Sequence, residues 1–180
     1  MKSAEDVIRF WFVDHGSDDW FSSSAAFDAE LAAAFADTHA AVALGEAWSW
    51  RESPEGRLAE ILVLDQFSRQ LFRGSARAFA SDSMALALAQ EAVAGGYDKA
   101  LDAQKRMFLY MPYMHSESLV VHEEALRLFT DLDNENILKF EIAHADCLRR
   151  FGRYPRRNTA LGRESTAEEK AYIADGDGMF

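Results

Sequence analysis

Few groups in this chain could do chemistry away from its surface, and they sit in three helical stretches and one arginine-rich loop. Asp65 and Arg69 stand at i and i+4, the favourable order for an ion pair. At helical spacing they fall in the middle of the face made by Leu58, Ile61, Leu62 and Phe72. An isolated charge on such a face costs several kcal/mol, so the two must pair with each other or line a solvated cleft. His115 and His122 project among Leu119, Ala125, Leu126 and Phe129, and His144 among Ile137, Phe140, Leu148 and Phe151. A neutral imidazole is satisfied in a core by donating from one nitrogen and accepting at the other. If their helices converge, His115, His144, Asp65 and Arg69 would instead line one polar cavity.

Glu141 and His144 form a Glu-x-x-His step of the kind that di-iron bundles use. Such bundles need the step twice, with two further glutamates, and the sequence holds it once. No metal and no cofactor is therefore expected. Arg149, Arg150, Arg153, Arg156, Arg157 and Arg163 crowd into one short region of an acidic chain. Guanidinium forks bind carboxylate or phosphate in two-point fashion, which would make an anion site. The alternative is that they pin a loop to nearby carboxylates and helix ends. Cys147 lies on an apolar helix side with no cation on its own face and reads as packing. Nucleophile elbows, phosphate-binding loops and dinucleotide fingerprints are missing from the sequence.

The elements that must position these groups are helices. The 180 residues include only 10 Gly and 3 Pro, with 49% hydrophobic and 27% charged residues, a composition for one folded, helix-rich domain. Ser3 and Asp6 read as a capping pair for a helix over 4–13, and Ser24 caps one over 25–44 that Gly45 stops. Ser53-Pro54 opens a helix apolar nearly all round, hence central, that ends before Gly74. Further helices are expected over 82–94, in one or two short pieces from Asp98 to Pro112, over 113–132 and over 136–151. A last one follows a capping box read at Ser165 and Glu168. No stretch alternates with period two, so the expected class is all-α: antiparallel helical hairpins without a sheet.

The net charge is −11 and the isoelectric point near 4.9. Both disfavour a nucleic-acid or anionic-membrane partner. A single cysteine, two acids close to the N-terminus and no run of membrane-spanning length lead to the expectation of a cytoplasmic protein.

Three longer stretches carry a family likeness: Leu64-Asp65-Gln66-Phe67-Ser68-Arg69-Gln70-Leu71-Phe72-Arg73-Gly74, Tyr110-Met111-Pro112-Tyr113-Met114-His115-Ser116-Glu117, and Arg150-Phe151-Gly152-Arg153-Tyr154-Pro155-Arg156-Arg157-Asn158 with Leu161-Gly162-Arg163 beyond it. With the opening Phe10-Trp11-Phe12, these resemble the bacterial family catalogued as domain of unknown function 924. The resemblance spans nearly the whole chain. It implies an all-helical fold like tetratricopeptide-repeat hairpins, and no assigned reaction. The chain departs from that pattern at Ser68, Gln70, His122 and Arg156, the last standing where the family usually has histidine.

The reading these observations favour is a pocket between helices for a small anionic ligand or a peptide carboxylate. Arg69, Arg73, Arg153 and Arg157, with Arg163 nearby, would supply charge. Asp65, His115, Glu117, His144 and Asn158 would supply orientation. The alternatives are an enzyme using His115 or His144 as general acid or base beside Asp65 or Glu117, and a protein-interaction scaffold.

Overall fold

The computed structural model describes residues 1–176. Among these no strand occurs, and the chain is a succession of helices: α1 (Ala4–Arg9), α2 (Ser17–Trp20), α3 (Ala25–Ala43), α4 (Pro54–Leu62), α5 (Ser68–Leu71), α6 (Asp82–Ala94), α7 (Ala103–Met114), α8 (Leu119–Thr130), α9 (Glu135–Phe151) and α10 (Ala167–Ala174). The all-α class expected from composition and periodicity is what forms. No described helix is long and apolar enough to cross a membrane.

Local chemistry explains most boundaries. The Ser3 hydroxyl accepts from the Asp6 amide while the Asp6 carboxylate accepts from the Ser3 amide, a complete capping box. Ser24 and Ser53 cap α3 and α4, with Pro54 at the first helical position of α4. Gly152 closes α9 at φ 69°, a left-handed conformation that glycine adopts without penalty.

Two boundaries differ from the sequence reading. The expected 113–132 helix is two pieces: α7 runs on through Pro112 to Met114, and α8 begins only at Leu119. His115 is consequently the cap residue of α7 and does not share a helix face with His122. The last capping box is formed by Thr166 and Glu169, one residue later than Ser165 and Glu168.

The core is aromatic. Trp11 is fully buried, stacked on Trp20 at 5.9 Å and edge-on to Phe108 at 5.6 Å, and Trp20 meets Phe108 at 4.9 Å. Such pairs add about 0.5–1.5 kcal/mol each beyond their burial. The Trp20 indole N–H donates to the Trp11 carbonyl at 2.8 Å, which fixes the turn that follows α1. Central α4 packs against α1, α6 and α7, with α8 on α7 and α9 on α8. A smaller cluster of Cys147, Leu148 and Tyr154 lies under α10, joined by Phe151 and Tyr172.

Between α4 and α5 the helix does not break but widens into one π-helical turn, Val63–Phe67. Such turns often mark functional sites, because they leave carbonyls for other donors. Here the Leu64 carbonyl accepts from the Ser68 hydroxyl at 2.6 Å and the Asp65 carbonyl from Arg69 at 2.9 Å. The widened turn carries Asp65 and Gln66 into the interior.

Candidate functional site

Asp65 is the hub, 1% exposed. One carboxylate oxygen meets His115 Nδ1 at 2.7 Å and Arg69 Nη1 at 3.0 Å, and the other accepts from the Gln66 amide at 2.5 Å. Burial alone would raise its pKa, but the Arg69 guanidinium and the His115 contact override it and hold the carboxyl far below the usual range. An ionised carboxylate only accepts, so His115 donates through Nδ1 and keeps Nε2 as its basic nitrogen. Burial lowers the His115 pKa, aided by Arg69 and Arg157 and opposed by Asp65. The pair at neutral pH is therefore carboxylate and neutral imidazole, with Arg69 as the countercharge.

Arg69 also forks onto Asp82 at 2.9 and 3.0 Å. Asp82 opens α6, and it is shared with Arg157 at 3.4 Å. Arg157 donates to the His115 carbonyl at 2.9 Å, and its guanidinium lies 4.5 Å from the Tyr154 ring centre and 4.8 Å from that of Phe79. The π-helical turn, the end of α7, the start of α6 and the loop after α9 are thus tied through two carboxylates. His144 comes from α9, its Nδ1–H donating to the Phe140 carbonyl at 2.7 Å and its ring 6.4 Å from that of His115. Burial pushes its pKa down to about 3.

These side chains open onto a cavity of about 320 Å³ lined by Arg69, Arg73, Arg156, Arg157, His115, His144 and Phe79, with no carboxylate among its lining residues. Arg73 reaches it from α5's end, held by Asp28 at 2.9 Å. Arg156 is exposed, and among the described residues it makes no ion pair. Four guanidiniums therefore face three partner carboxylates, Asp65, Asp82 and Asp28.

The other candidates stand elsewhere. Glu117 receives the Tyr154 amide at 2.7 Å and both Arg163 amino groups at 2.8 and 2.9 Å. Arg153 forks onto Glu169 at 2.7 and 2.9 Å, and Asn158 joins Glu169 to Arg163. Arg153, Asn158, Arg163 and Glu117 thus staple the 152–166 loop and the start of α10 to the segment after α7, and none lines the cavity. This is the pinning alternative for the arginine cluster: Arg149, Arg150, Arg153 and Arg163 each pair with a carboxylate, Arg157 pairs with Asp82 and the His115 carbonyl while also lining the cavity, and among the described residues only Arg156 has no ion pair. His122 is buried with Glu141 at 2.6 Å and Tyr154 at 3.0 Å, and burial pushes the Glu141 carboxyl up. Among the described residues no three His, Cys, Asp or Glu side chains are placed to share a metal ion.

Sequence reasoning missed Asp82, which reads only as a helix opener, and Gln66, which hides in an apolar run. Arg156 was visible as part of the arginine cluster.

The family model for a bacterial protein of unknown function (DUF924) matches residues 7–177. The chain belongs to this DUF924 family. Among solved structures it is similar to a protein of unknown function from Agrobacterium tumefaciens, with 40% sequence identity and a TM-score of 0.91, over 96% of this chain and 97% of the other. A comparison with proteins of curated function found no match. The three stretches that carry the DUF924 likeness meet at the cavity: the first supplies Arg69 and Arg73, with Asp65 behind them, the second His115, the third Arg156 and Arg157.

Proposed function

We propose that this DUF924 chain is a binding protein for a small anion, held by Arg69, Arg73, Arg156 and Arg157 at the mouth of the cleft. What carries the reading is a cavity wall with four guanidiniums and, among the described residues, no carboxylate, in a protein of net charge −11. A positive concavity in a negative surface is a directed feature, because the molecule's own field would otherwise repel anions. Asp65 and Asp82 stand behind the arginines and fix their orientation, so little side-chain entropy is lost when a carboxylate or phosphate group is gripped.

Titration with inorganic phosphate and with acetate, followed by ¹H–¹⁵N NMR of the arginine Nε–H groups, tests it. Saturable shifts at Arg69 and Arg157 are expected, and Arg156→Ala should weaken them about tenfold, the worth of roughly 1.4 kcal/mol from one charge-assisted contact. Arg156 is exposed and unpaired among the described residues, so that variant should unfold no more easily than the parent. No saturable shift with either anion would end the proposal.

A second reading, acid–base chemistry on the bound anion, is favoured by the 2.7 Å bond between His115 and Asp65. A carboxylate that orients a neutral imidazole is the arrangement of a general base. It predicts release of free acid from a panel of carboxylate and phosphate esters, stopped by His115→Gln while phosphate titration persists. If every ester is recovered intact, the site binds without turning over.

A further inference from the structure

A second chamber, of about 500 Å³, adjoins the cationic cavity and shares with it Arg69, Arg73, His115 and His144. Its remaining wall is mostly apolar: Trp20, Phe21, Met111, Met114, Ile137 and Phe140. The two spaces lie side by side, one with four guanidiniums in its lining and the other mostly apolar. We infer that the ligand of this site is an amphipathic anion, one carboxylate or phosphate head on an unbranched apolar tail. The inference rests on the anion reading above and adds the tail to it.

Several features support the tail. Phe21 is 62% exposed and Phe140 45% exposed at the chamber's edge. Large aromatics left in water beside a concave apolar wall gain free energy when covered. Met111 and Met114 supply unbranched, polarisable side chains that adapt to the contour of a flexible chain. The two buried amides of the chamber are already engaged. Gln66 donates to Asp65 and to Met111 Sδ, and Gln70 donates to the Trp20 carbonyl and accepts from Arg73. Neither amide asks for a hydroxyl or amide on the tail.

Charge complementarity sets its direction. Arg69 and Arg73 stand with the two histidines in the shared wall and Arg156 and Arg157 on the far side of it, so the anionic head belongs on the arginine side and the tail against the apolar wall. The volume fits a small molecule, pockets for which run to about 300–1,000 Å³, whereas protein partners bury surfaces of about 1,200 Å² or more.

Isothermal titration calorimetry with acetate, hexanoate, decanoate, decyl phosphate and neutral decanol, all below micelle-forming concentration, tests the inference. Affinity should rise about fourfold per methylene from acetate until the chamber is full, since each buried methylene contributes about 0.8 kcal/mol. Decanoate or decyl phosphate should bind at least tenfold tighter than decanol, and the tighter of the two names the head. Phe140→Ser, at a partly exposed helical position, should weaken decanoate about tenfold and leave acetate unchanged.

Equal affinities for acetate and decanoate would overturn the tail while leaving the anion reading intact. Decanol binding as well as both long-chain anions would overturn the anion reading, and the inference with it. A Phe140→Ser variant that binds decanoate like the parent would place the tail elsewhere and defeat the inference. So would a dimer in sedimentation that decanoate does not dissociate, since a second copy would then cover the aromatic edge.

Discussion

Asp65→Asn should destabilise the protein by about 3–5 kcal/mol, the range found when one partner of a buried charge pair is removed. At this chain length that lowers the melting temperature by roughly 6 to 20 °C. The substitution keeps the shape, so no cavity contributes. What is lost is the charge that Arg69 was placed to meet, and an amide in place of the carboxylate must present a donor where three donors converge. Those donors are the Arg69 guanidinium, the His115 imidazole and the Gln66 amide. Arg69 retains its fork onto Asp82 and a fifth of its side chain in contact with solvent, which argues for the lower half of the range.

Urea unfolding at pH 7 measures the effect, with Asp82→Asn as the comparison. Asp82 is itself about one-fifth exposed, so water replaces part of what it gave. Its loss should cost near 1 kcal/mol, as partly solvated pairs do. A double variant, Asp65→Leu with Arg69→Met, should recover part of the single loss, because it removes the stranded charge together with its partner. If Asp65→Asn costs less than Asp82→Asn, Asp65 is not what holds the four elements together. The sign with pH follows from a carboxyl held below its ordinary value: this stabilisation is complete above about pH 4 and is lost as acid protonates the folded form.

How much of this was legible in the sequence depends on whether the cause is local. Ser3 with Asp6, Ser24, Ser53-Pro54 and Gly152 act on backbone groups within a few residues, and each set its boundary where the sequence placed it. Pro112 misled because a proline inside a helix usually ends it, whereas α7 continues through it to Met114. That error moved His115 from a helix face to a helix end, from which it reaches Asp65. The Asp65–Arg69 pair was legible as an i, i+4 step, but its second partner, Asp82, was not, since nothing in an acid at a helix start names a guanidinium thirteen residues back. The division of the arginine cluster was likewise hidden. Arg153 and Arg163 find carboxylates on α10 and after α7, whereas Arg157, paired with Asp82, and Arg156 line the cleft. Sequence shows that such residues are plentiful, and only packing sorts them into staple and site.

Acidification from pH 7 to 5 should remove about 2 kcal/mol of stability through His144 alone. Its pKa is lowered to about 3, first by burial and further by the charges of His115, His122 and Arg157, while the bond to the Phe140 carbonyl works against the shift. In the unfolded chain the imidazole titrates at its ordinary value near 6.5. Below that pH the unfolded form takes up a proton that the folded form refuses until about pH 3, and the equilibrium moves toward unfolding by about 1.4 kcal/mol per pH unit. The stability owed to neutral His144 is thus whole above pH 6.5 and declines between there and pH 3. His115 and His39 shift in the same direction, both chiefly through burial, and add to the decline. The carboxylates held low, Asp65 and Glu117 among them, begin to contribute only below about pH 5. Glu141, whose carboxyl burial pushes up, works in the opposite sense, so comparison with a His144 variant is what isolates the imidazole. His144→Phe removes the titration and keeps an aromatic ring against Tyr154, which lies 5.5 Å away. In that variant, the stability lost between pH 7 and pH 5 in urea titrations should shrink by about 2 kcal/mol. An unchanged pH dependence would mean that His144 takes a proton in the folded cleft, and the cleft's positive charge near pH 6 would then come from histidine as well as arginine. The expected result removes His144 as a source, so its protonation should not change acetate affinity between pH 8 and 6.5.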